Sequence, residues 1–338
     1  MKKYLAILLV FLITITYKLS VSHPVDFEEN TKEEVTELEP KETKKTLLDS
    51  LSPFLVKEPL MYLEGWNYLP QPNFWRKIMK MSADSSLVNI AANRTILTTI
   101  ATEDYTSKTR DGKRIFKEKI IKDHNLPTGT EIYITSGKKH FYQIERAVPG
   151  IVKSTQIFEE QNVSPWFAQA ILLIESPNKL QKSNVGAYGS FQLMKWVARN
   201  NGLTVNKYVD EREDLEKSAK AAARFIKTTC IPKTREILDR WNLEYSENDL
   251  WFKLMVLHVY HAGAGNVAGA VNVIAPKNGG QELIKELWQT SYRGFRNASQ
   301  NYSQLALASL MELDAMSGNN VAINSYKIEP KPAVLLGR

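Results

Sequence analysis

Hydrophobic residues recur at helical spacing almost throughout the chain from Gly150 onward. The pattern predicts helices over residues 215–228, 234–241, 249–261, 280–288 and 300–317. Another helix opens at Ser164-Pro165, a capping residue followed by proline at the first helical position. Within it Phe167, Ala170, Ile171 and Ile174 form one core-facing stripe, and Glu175 closes the last turn at the edge of that stripe. Residues 60–125 carry further helix-like stretches, among them 74–81 and 87–101. Residues 131–134 and 140–144 flank Thr135-Ser136-Gly137-Lys138-Lys139, which predicts a short β-hairpin. The expectation is a mainly α protein, with a helical domain over 150–317 and a small mixed N-terminal region over 47–149 that contains the hairpin.

The two ends read differently. Met1-Lys2-Lys3 precedes an uncharged apolar stretch over residues 4–17, which Lys18 ends. A spanning helix needs about 20 residues, so the stretch suits a secretory leader better. Ser20-Val21-Ser22 supplies a small-x-small cleavage pattern. Residues 1–22 are therefore read as a signal peptide or, if uncleaved, as an N-terminal membrane anchor. Export to the periplasm or cell envelope is expected. Residues 23–46, rich in Glu, Lys and Thr, cannot bury enough surface to offset their ordering entropy and read as a disordered tether. The tail over 318–338, with Pro330 and Pro332, reads as loosely ordered.

Composition narrows the class. With 338 residues the chain has room for roughly two domains. A hydrophobic share of 43% and a charged share of 24% exclude a disordered chain and a multi-span membrane protein. A net charge of +7 suits an anionic polymer or membrane surface, and nothing points to nucleic acid. The single cysteine, Cys230, excludes an intrachain disulfide and a Cys-based zinc site, and reads as a small buried hydrophobe.

The candidate chemistry centres on Glu175. Apolar surroundings and the negative end of the helix dipole both disfavour its carboxylate, so a raised pKa and a usable acid proton are expected. The plain alternative is an ordinary half-buried glutamate. Downstream, the loop over 186–194 combines Gly186 and Gly189 with Gln192 and Met194. Glycines let backbone approach a ligand, and Gln192 offers an amide to sugar hydroxyls. Asp210-Glu211-Arg212, the alanine-rich stretch over 218–225, residues 260–266 and Asn301-Tyr302 follow.

In this order the motifs resemble the lytic transglycosylases with a goose-type-lysozyme-like catalytic domain, over about residues 155–315. The family's E-S pair is matched by Glu175-Ser176, and its G-L-M-Q-L-M-P motif by Gly189, Gln192, Leu193 and Met194. Its Y-N-A-G motif is matched by Tyr260, Ala262 and Gly263, and its late tyrosine by Tyr302. Ser190, Phe191, Lys195 and His261 depart from the pattern.

The resemblance implies a lysozyme-like fold that cuts peptidoglycan glycan strands between N-acetylmuramic acid and N-acetylglucosamine. It implies Glu175 as catalytic acid and base, with Ser176, Gln192, Met194, Tyr260 and Tyr302 against the substrate, and no metal or cofactor. No Asp or Glu occurs from Ser176 to Val209, though Asp210 or Glu211 could fold back as a second carboxylate. A hydrolytic goose-type lysozyme and a non-catalytic peptidoglycan-binding scaffold are the alternatives.

Other features read as structural. His258 and His261 lie three apart without a carboxylate at metal-supporting spacing. Gly263-Ala264-Gly265 has no strand before it, so it does not read as a dinucleotide site. Trp166, Trp196, Trp241, Trp251 and Trp288 could stack on sugars, but most tryptophans in such helices are core and none is assigned as a ligand. Lys138-Lys139 reads as a solvated loop tip, with contact to anionic polymer as the alternative.

Overall fold

The computed structural model describes residues 49–175, 183 and 185–317; the leader, the tether, Ser176 and the tail lie outside the described residues. Its architecture is a helical bundle with one small antiparallel sheet, as the hydrophobic pattern predicts. Among the described residues, no helix is long and apolar enough to cross a membrane.

The bundle is built from α1 (Pro70–Lys80), α2 (Arg110–Asp123), α3 (Ile144–Glu160), α4 (Pro165–Glu175), α5 (Lys195–Asn200) and α6 (Leu215–Phe225). It continues through α7 (Ile231–Asp239), α8 (Leu250–Ala262), α9 (Ala264–Ile274), α10 (Gln281–Leu287) and α11 (Asn297–Met316). Helix α4 sits at its centre, packed against α3, α8 and α11. Every residue from Trp166 to Ile174 is buried, so the predicted stripe widens to the whole circumference. A helix that is apolar all round belongs inside.

Residues 149 and 150, where the sequence divides the two regions, lie within the continuous helix α3. The helices predicted over 215–228 and 234–241 are also joined. A π-helical turn over Ile226–Cys230 carries α6 into α7. Pro232 explains the wide turn, because its ring has no N–H and clashes with the carbonyl four residues back. Cys230 is buried there, as expected of a small hydrophobe.

The N-terminal sheet corrects two local expectations. Residues 87–101, expected as helix, are strands β1 (Ser85–Ile90) and β2 (Ile96–Ala101), paired as an antiparallel hairpin. Strand β1 is central, with α1 over Leu87 on one face and α2 beside Val88 on the other. A strand buried on both faces loses its alternation and reads as a continuous apolar run. The third strand, β3 (Ile132–Ser136), pairs with β1 and not with residues 140–144. After Ser136 the chain docks on the end of α1: the N–H groups of Gly137, Lys138 and Lys139 donate to the carbonyls of Ser85, Ile78 and Met81 at 2.9, 2.8 and 3.0 Å. The second strand of the hairpin predicted over 131–144 is therefore absent, and α3 begins at Ile144.

Buried polar contacts bind the N-terminal region to the bundle. The Gln169 side chain pairs with both backbone groups of Val56, at 3.0 and 2.8 Å. Lys253 and Glu58 form a largely buried ion pair at 2.6 Å. Arg94, only 4% exposed at the tip of the β1–β2 hairpin, donates to Asn297 at 2.8 Å and Asn301 at 2.7 Å, the residue before Tyr302. Its guanidinium also lies over the rings of Phe74, Trp75 and Tyr133. Replacing Arg94 with Ala takes a donor from the buried amide oxygens of Asn89 and Asn301 and should cost about 2–4 kcal/mol in urea unfolding. Arg94→Lys should restore only part of that loss, since an ammonium cannot reproduce the planar fork.

Candidate active site

Glu175 is the last residue of α4, two residues before Pro177, and a helix seldom continues into the residue that precedes a proline. Its half-buried carboxyl lines a pocket of about 180 Å³ with Gln192, Met194, Tyr260 and His261, among other residues. That volume holds roughly six waters. Burial pushes the carboxyl from an ordinary 4.5 up to about 7, and interaction with the Tyr302 hydroxyl only partly offsets this. The raised pKa expected from the apolar helix is present.

Two tyrosines flank the carboxyl and are held protonated by burial and by its charge. The Tyr302 hydroxyl is buried and makes no hydrogen bond of ordinary length among the described residues, so its contact with Glu175 is a long one. Such contacts tighten when a substrate is bound. The Tyr260 hydroxyl donates instead to the Phe191 carbonyl at 2.6 Å, fixing the loop opposite. His261 stacks on Tyr302 with ring centroids 4.4 Å apart. Its edge reaches solvent at the rim, yet the protein around the ring disfavours the cation and lowers its pKa to about 4. At neutral pH it therefore adds a flat, uncharged wall.

The loop that carries Gln192 is a tight turn closed by backbone bonds between Tyr188 and Leu193 at 3.2 and 3.1 Å. Gln192 has φ 45°, and its amide nitrogen donates to the Gly189 carbonyl at 3.0 Å. Arg212, 2% exposed, clamps the loop from behind, donating to the carbonyls of Gly186 and Leu193 at 2.9 and 2.8 Å. Asp210 holds the other edge of that guanidinium at 2.8 and 2.7 Å. Glu211 pairs with Lys217 at 2.7 Å and accepts from the Thr204 N–H at 2.6 Å. Neither carboxylate lines the pocket, so Glu175 is its one acidic residue among those described.

The structure thus gathers Glu175, Gln192, Met194, Tyr260 and Tyr302 in one place, while Ser176 lies outside the described residues. His258 is buried away from the pocket, bonded to Ser303 at 2.8 Å, and burial lowers its pKa to about 3. Trp166, Trp251 and Trp288 are core, Trp241 is half-buried, and Trp196 is exposed on α5. The sequence reading missed Arg212, visible there only as one of three adjacent charges. It also missed Tyr142, whose phenol is raised by burial and by the charge of Glu175.

Two outcomes follow from this geometry. At Gly189, with φ 81°, an added Cβ would lie 1.8 Å from the Arg212 carbonyl oxygen. Gly189→Ala should therefore cost at least about 2 kcal/mol in chemical denaturation. Between pH 4.5 and about 7 the folded protein keeps on Glu175 a proton that the unfolded chain has lost. Stability thus falls as pH rises through that window. Relative to Glu175→Gln, the wild type should lose on the order of 2 kcal/mol between pH 5 and pH 8, measured by urea unfolding at both.

Residues 154–274 match the family model described as Transglycosylase SLT domain. No curated protein matches the chain. The matched stretch contains the end of α3 from Ser154, all of α4 with Glu175, the loop with Gln192 and Met194, and Tyr260; Tyr302 lies beyond it. The domain supports peptidoglycan glycosidase activity of the lytic transglycosylase type. The part of the bundle that presents Glu175 belongs to the transglycosylase SLT family.

Proposed function

We propose that the chain cleaves the β-1,4 bond between N-acetylmuramic acid and N-acetylglucosamine without consuming water. Glu175 gives its proton to the glycosidic oxygen as the bond from muramyl C1 breaks. The resulting carboxylate then takes the proton from the muramyl C6 hydroxyl as that oxygen closes on C1, leaving a 1,6-anhydro ring. One carboxyl serves both steps and ends as it began. Gln192 and Met194 face the sugars, and Tyr302 supplies a neutral donor to Glu175 while it is ionised.

The observation that carries this reading is a single carboxyl, with a pKa near 7, as the pocket's one acidic residue among those described. A hydrolytic glycosidase of the two-carboxylate kind needs a partner about 5–9.5 Å away. Asp210 and Glu211, the nearest downstream candidates, are engaged with Arg212 and Lys217. The wall glycan lies outside the cytoplasmic membrane, and the leader read in residues 1–22 supplies the matching address.

Mass spectrometry of fragments released from purified peptidoglycan tests the proposal. Products one water lighter than hydrolytic ones are expected, with release reduced about 10²- to 10⁴-fold by Glu175→Gln. Reducing-end products would indicate hydrolysis instead, and binding without release would indicate a scaffold. Because the acid form starts the reaction, activity should fall as pH rises above about 7, followed by fragment release across pH 5–9.

A further inference from the structure

A second and larger cleft, of about 590 Å³, lies outside the matched domain residues. Ser82 and Ala83, in the turn between α1 and β1, line one part of it. Lys139, Glu145 and Arg146, from the β3–α3 connection and the start of α3, supply its charged groups, and His140 lines it beside them. Cationic side chains outnumber the single acid. Lys139 makes no ion pair among the described residues, and its side chain is exposed.

The sequence reads Lys138-Lys139 as a solvated tip, but the backbone there is docked. Lys138 and Lys139 donate to carbonyls of the α1 end, and a Cβ at Gly137 would lie 2.1 Å from the Ser82 carbonyl oxygen. The position of Lys139 is therefore set by packing. Tyr142 also lines this cleft and feels the charge of Glu175.

We infer that this cleft is a further subsite of the Glu175 groove, taking carboxylates carried by a glycan strand, with Lys139 as the contact. The inference rests on the glycan-cleaving reading above. On such a strand, carboxylates sit on the lactyl group of muramic acid and on the peptide attached to it. A cation whose backbone is docked in this cleft meets that chemistry without a cofactor.

Binding to the full-length Glu175→Gln protein tests this without turnover. Three soluble oligosaccharides of equal length serve as probes: N-acetylglucosamine only, muramic acid with a bare lactyl group, and muramic acid with its peptide. At least one carboxylate-bearing probe should bind about 2- to 5-fold more tightly than the neutral one, a gain that shrinks as salt is raised. Which probe gains identifies the source. Lys139→Glu should abolish the gain and leave the neutral probe unchanged, and Lys139→Gln should remove part of it. Equal binding of all three probes, or a gain that survives Lys139→Glu, overturns the inference. Failure of the glycan-cleaving reading shows separately, as a wild type that releases no fragments from peptidoglycan.

Discussion

The constraint on which the rest depends is the complete burial of the helix that ends at Glu175. From Trp166 to Ile174 no side chain of α4 is open to water, so the helix cannot rotate or slide without breaking core contacts on every side. The carboxyl at its end inherits that rigidity. It also inherits the low polarity of its surroundings, which holds the proton to about pH 7. Packing and acidity are here one effect, since the neighbours that fix the carboxyl also desolvate it.

Opposite the carboxyl, a backbone loop is held by three side chains. Arg212 fills the space behind the turn, Asp210 neutralises Arg212, and Tyr260 caps the Phe191 carbonyl. The buried guanidinium is tolerable because it is both paired with Asp210 and hydrogen-bonded to two backbone carbonyls. Phe191, which departs from the family motif, is buried and stacks on Phe158 of α3, so the departure is a matter of core packing. His261, another departure, is a neutral plate against Tyr302.

The region before residue 150 is part of the same construction. Gln169 on the central helix pairs with the Val56 backbone, and Arg94 from the small hairpin grips α11 beside Tyr302. Helix α3 runs across the position where the sequence divides two regions. The N-terminal segments therefore support the site helices through polar contacts that are costly to break once buried.

What was legible in the sequence followed from short-range rules. Helical period and capping located α4, α8 and α11, and an apolar run ending in Glu175 was enough to expect a raised pKa. Motif order placed Gln192, Met194, Tyr260 and Tyr302 with Glu175. The sequence could not separate a twice-covered strand from a helix, because both appear as unbroken apolar runs; β1 was decided by α1 and α2 packing on its two faces. Nor could it assign Asp210, which only folding brings to the guanidinium that engages it. Tyr142 and Lys139 gain meaning the same way, from neighbours far along the chain. Local preference depends on residues a few positions apart, whereas charge pairing and desolvation depend on distances that only the tertiary structure sets.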